Sequence, residues 1–139
     1  MEINSLFIRN LRVIIAASIC DGTIDDKELK NIQAYVDKES QNVGIVIKEA
    51  ASELIKSATS DPLHFTRQTL VDFGNTTFSM AERIYLINSA IEAVRADGLM
   101  LSDEIRFIKA LTMKLGLSDA IVESLAGKWW IIDASNDIL

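Results

Sequence analysis

The chain carries the same acidic turn twice. Asp21-Gly22-Thr23-Ile24-Asp25-Asp26-Lys27-Glu28 is matched 76 residues later by Asp97-Gly98-Leu99-Met100-Leu101-Ser102-Asp103-Glu104. In each copy a glutamate follows seven residues after the aspartate of an Asp-Gly pair. An apolar stretch of helical period leads into each turn, and another leaves it. A repeated helix–turn–helix unit cannot bury its apolar stripe alone and must bury it against its neighbours, so the duplication constrains the fold more than any other feature. The expected architecture is all-α, with the two units related by an approximate internal two-fold.

The rest of the chain agrees. Residues 3–19 place Ile3, Leu6, Phe7, Leu11, Ile14 and Ala17 at helical spacing, and Gly22 ends that helix. A second helix is predicted over 25–38, with Leu29, Ile32 and Val36 on one face and Asp25 and Glu28 as a capping box. A third covers 43–58. Ser60-Asp61-Pro62 opens a fourth that ends near Phe73-Gly74-Asn75, with proline accepted in the first turn. Ser79 and Glu82 form another capping box, starting a fifth helix that runs to Asp97. The sixth spans Ser102 or Asp103 to Leu115; Leu101 stands where a capping Ser or Asp belongs, so this helix is expected to begin one residue late. Gly116 ends it, and Ser118 caps a seventh that ends near Lys128. No stretch alternates with the period of a strand. With 139 residues, one proline and six glycines, the chain reads as one domain (1–139) of about seven helices with a tail from 128 to 139.

Composition removes several function classes. A net charge of −6 repels phosphate backbones, which argues against nucleic acid as a partner. No apolar run reaches the ~18–20 residues of a membrane-spanning helix. Val13 to Cys20 has the outline of a lipoprotein signal, but Ile19 stands where a small residue is needed before the cysteine, so no export is expected. The one cysteine, Cys20, cannot form an internal disulfide, which fits a reducing cytoplasm. There is no phosphate-binding glycine loop and no nucleophile elbow, and His64, the one histidine, has no companion at ligand spacing. The chain therefore reads as non-enzymatic. Arg9, Arg12, Lys27, Lys30, Lys38, Lys48, Lys56 and Arg67 alternate with acids and read as solvated helix faces.

The twice-repeated pattern of Cys20-Asp21-Gly22-Thr23-Ile24 through Glu28, and Ala96-Asp97-Gly98-Leu99-Met100 through Glu104, resembles the TerB family of tellurite-resistance-associated domains. A similar domain precedes some DnaJ-type co-chaperone modules. The sequence departs from the family pattern at Cys20, where alanine is usual, and at Leu101. The resemblance implies a compact helical domain, intracellular, linked to stress or tellurite and metal-ion response, with a divalent-cation site formed by acidic residues of the two turns. It implies no reaction.

Two readings of the carboxylates stand side by side. If the two-fold brings the turns together, Asp21, Asp25 and Glu28 face Asp97, Asp103 and Glu104, enough oxygens for a shared Ca²⁺, Mg²⁺ or Mn²⁺, with Asp26 as a spare. Alternatively each carboxylate has only a local role, in an Asp-Gly turn, a capping box or the first turn of a helix. An EF-hand is excluded: with Asp21 at the fifth loop position, Ala17 and Ile19 occupy the first and third, and in the second copy Ala93 and Arg95 do so. Cys20 beside Asp21 reads as a buried, unreactive thiol. Trp129-Trp130-Ile131-Ile132 either packs back on the core or completes a patch for a partner protein or for self-association.

Overall fold

The computed structural model describes residues 2–22, 25–43, 45–95 and 102–126. Seven helices make up the described chain: α1 (Glu2–Ile19), α2 (Asp26–Val43), α3 (Ile45–Ser60), α4 (Pro62–Gly74), α5 (Met80–Arg95), α6 (Ser102–Lys114) and α7 (Asp119–Ala126). No strand occurs among the described residues, and the fold class is the all-α one expected. No described helix is long and apolar enough to cross a membrane. Trp129 and Trp130 lie outside the described residues.

Helix α1 is the axle. Leu11, Val13, Ile15, Ala16, Ala17 and Ile19 have no solvent exposure, and these residues face several directions around the helix. It packs against α2, α3, α4, α5 and α6, and most extensively against α5. The surrounding helices touch one another in the order α2, α3, α4, α6, α5. The ring stays open at one edge: among the described residues, α2 and α5 pack far less closely on each other than either does on α1. From the far side α5 contributes Leu86, Ile87, Ala90 and Ile91 to the core, and α6 contributes Ile108 and Leu111, all without exposure. Helix α7 covers the outer face of α5 with Val122.

The helix ends follow local chemistry. Gly22 and Gly116 take φ of +92° and +67°, the left-handed values that an L side chain resists. Asp61 accepts the His64 N–H at 3.2 Å, and Ser118 accepts that of Ile121 at 3.4 Å. The Ser79–Glu82 box is closed both ways: Ser79 N–H donates to Glu82 Oε1 at 2.8 Å, and Glu82 N–H to Ser79 Oγ at 3.2 Å. Helix α2 runs to Val43 instead of stopping at Lys38, because residues 39–43 are polar but contain no breaker.

Two arginines read as parts of solvated faces make tertiary contacts instead. Arg12, on α1, reaches α4: its Nε donates to Thr69 Oγ1 at 3.0 Å, its terminal nitrogen meets Asp72 Oδ2 at 2.6 Å, and its guanidinium lies 5.9 Å from the Phe65 ring centre. Hydrogen bonds from Arg12 and Gln68 hold the Asp72 carboxyl below its ordinary pKa. Arg9 sits 5.3 Å over Phe78. Both side chains lay their stems along apolar surface, which the charge pattern of a sequence does not reveal.

Because α1 is enclosed, Ile15→Ala should lower the unfolding free energy by about 2–5 kcal/mol in urea titration, whereas Met113→Ala, at 79% exposure, should stay within roughly 0.5 kcal/mol.

Candidate functional site

Each acidic turn is built at the end of one core helix and the start of the next. After α1, the Gly22 N–H donates to the Ile19 carbonyl at 2.9 Å. A Cβ on Gly22 would meet the Leu63 side chain at 3.4 Å, so α4 braces this turn. Asp25 then caps α2 reciprocally: Glu28 N–H donates to Asp25 Oδ1 at 2.7 Å, and Asp25 N–H donates to Glu28 Oε1 at 3.3 Å. Ala17 and Ile19 lie inside α1 without exposure, so no twelve-residue calcium loop forms around Asp21. In the second copy α6 begins at Ser102, which is 76 positions after the first residue of α2, Asp26. Ser102 is one of the two starts expected for it, and burial of Ile105, Phe107 and Ile108 sets its register. Glu104 is accordingly the counterpart of Glu28, in the first turn of its helix.

The open edge between α2 and α5 brings parts of the two turns together. A cavity of about 110 Å³ is floored by Ile14 and Ser18 of α1, walled by Asp25, Lys27, Glu28, Asn31 and Ile32 on the α2 side and by Ala93 of α5, and reached by Glu104 of α6. Carboxylates from both units therefore line one space. The electrostatics agree. Burial, and then the charges of Glu104, Asp21 and Asp103, push the Cys20 thiol up to about 12. A thiol at the end of α1 thus senses carboxylates of the first turn and of α6 together. Its Sγ lies 3.3 Å from the Ala17 carbonyl oxygen, to which it donates. Glu28 is raised to about 7, chiefly because burial disfavours its charged form; the hydrogen bond from Asp25 N–H opposes this, while the charges of Asp25 and Asp21 add to it.

The six acids proposed from sequence are distributed unevenly. Asp25, Glu28 and Glu104 line the cavity. Asp21 is exposed in the turn beside it, close enough to act on both Cys20 and Glu28. Asp103 points to the surface, with Oδ1 3.4 Å from Arg106. Asp97 lies outside the described residues. Among the described residues no three His, Cys, Asp or Glu side chains stand close enough to hold a metal ion without movement. Lys27 is exposed, as a solvated-face residue should be, and it also lines the cavity beside Asp25 and Glu28, which the sequence reading did not foresee. Ser18 and Asn31 were missed as well. Ser18 is half-buried on α1 and Asn31 is exposed on α2, and their place at the cavity follows from helical period once the partner helix is known.

The raised Glu28 has a definite pH consequence. Between its unfolded value of 4.5 and its folded value of about 7, the folded chain binds more protons than the unfolded chain. Its contribution is full below pH 4.5 and disappears as pH rises through 7, so stability falls across that window. Glu28→Gln keeps an acceptor for Asp25 N–H without the charge. Its melting temperature should exceed that of the parent above pH 7 and should lose this part of the pH dependence. Cys20 should resist a thiol-exchange reagent at pH 8 in the folded chain and react fully once urea unfolds it. Comparisons with protein-family models, curated proteins and solved structures gave no match to this chain.

Proposed function

We propose that the chain is a TerB-like binding domain that acts in the cytoplasm by recognition, without catalysis, in the stress or tellurite and metal-ion response its motifs imply. In this reading a divalent cation, Ca²⁺, Mg²⁺ or Mn²⁺, is held between the two acidic turns and stabilises the face offered to a partner protein or to a second copy. The observation that carries it is the presence of Glu104, from the second unit, in the same cavity as Asp25 and Glu28 from the first. Hard cations take several oxygens at once, and only a meeting of the two turns supplies them. Asp21 and Asp103 would add to the set after side-chain movement, and Asp97 is the further acid that the repeated motif supplies. Lys27 would act as the resident cation that a metal displaces, and Glu28 would lose its proton when the ion enters.

A second reading, an interaction or oligomerisation module with no metal, is favoured by the closed capping box. Asp25 and Glu28 already satisfy each other's backbone N–H groups, and Asp103 is engaged by Arg106. In that case Trp129 and Trp130 would be the first candidates for the contact.

Thermal unfolding in millimolar Ca²⁺, Mg²⁺ or Mn²⁺ separates the two. The cation reading expects a rise in melting temperature, larger at pH 8 than at pH 6, that disappears in Asp21→Asn combined with Asp97→Asn and grows in Lys27→Met. No rise with any of the three ions would remove the cation and leave the interaction module. That module in turn expects sedimentation to show an assembly weakened by Trp129→Ser and Trp130→Ser.

A further inference from the structure

The edge of the ring that holds the acidic cavity has a second polar feature. Asn10 lies in the middle of α1 at 2% exposure, among the apolar side chains of the core. Its Nδ2 donates to Tyr35 Oη of α2 at 3.0 Å and to Tyr85 Oη of α5 at 3.5 Å, so one carboxamide touches both walls of the open edge. Its Oδ1 is buried and meets no donor. An apolar residue of similar volume would fill this position without burying an unsatisfied oxygen, so the carboxamide contributes direction and not burial energy. Tyr35 is also held from the other side, stacked on Phe7 of α1 with ring centres 5.9 Å apart and planes within 4°.

The placement matters because, among the described residues, α2 and α5 approach each other less than the other neighbouring pairs of the ring do, while both pack on α1. Asn10, Ile14 and Ser18 are each one turn apart on α1, and Ile14 and Ser18 floor the acidic cavity. Tyr35 is likewise two turns from Glu28 on α2, and Tyr85 is two turns from Ala93 on α5. One edge of the molecule thus has a polar tie at one end and the facing carboxylates at the other.

We propose that Asn10 is a pin: through Tyr35 and Tyr85 it closes the α2–α5 edge and fixes the two helix–turn–helix units against each other. A buried amide used in this way sets register at some expense of stability, as single polar residues do at helical interfaces elsewhere. The inference does not depend on a bound cation.

Hydrogen exchange on the full chain tests it. In Tyr35→Phe combined with Tyr85→Phe the rings remain and only the two hydroxyl groups are lost. Amides of residues 28–36 and 85–93 should then exchange about tenfold faster, while those of α4 and α6 change little. Asn10→Leu, which fills the volume and removes the tie, should give the same local pattern. Unchanged exchange at both segments in the double variant would overturn the pin, and so would acceleration spread evenly over all helices, because that reports general loss of stability.

Discussion

Enclosure of α1 is the constraint from which the other features follow. Between Leu11 and Ile19 that helix presents fully buried side chains in several directions, so five helices must surround it. Each buried aliphatic side chain contributes about 1.5–3 kcal/mol relative to exposure. An element with so many of them has few arrangements open to it. Once α1 is central, the first acidic turn must emerge at its C-terminal end. The strong packing of α5 along the same helix carries the second unit to the same region. The approach of Glu104 to Asp25 and Glu28 is therefore a by-product of burying one very apolar helix.

Five helices do not close evenly around a sixth, and the gap falls between α2 and α5. Polar groups gather there. At one end, burial shifts Glu28 and Cys20 toward their neutral forms. At the other, Asn10 donates to two tyrosine hydroxyls. Elsewhere in the ring, polar side chains serve packing: Arg12 ties α1 to α4 through Thr69 and Asp72, and Arg9 covers Phe78. The open edge thus combines a polar tie between α2 and α5 with a cavity whose carboxylates come from both units.

The carboxylates illustrate how one residue can have a structural and a binding role together. Asp25 and Glu28 cap α2, which fixes both side chains at the lip of the cavity. A capping box leaves further oxygen lone pairs on each carboxylate, so capping orients the groups without using them up. Lys27 lines the same cavity. An ion entering this space would have to displace the Glu28 proton, which makes any occupancy dependent on pH.

Much of the architecture was legible in the chain itself. Helical period, the capping pairs at Asp25–Glu28 and Ser79–Glu82, the turn glycines Gly22 and Gly116, and the single proline at the head of α4 are local signals, and each acts within about one turn of where it is written. The duplicated turn was legible for the same reason. Tertiary structure alone decided which acids share a space, that Lys27 joins them, that Arg12 reaches Asp72, and that Asn10 bridges α2 and α5. Most of those outcomes join residues 25 to 79 positions apart, and no local propensity encodes them; they depend on how the surrounding helices fit around α1 and on where that fit leaves a gap.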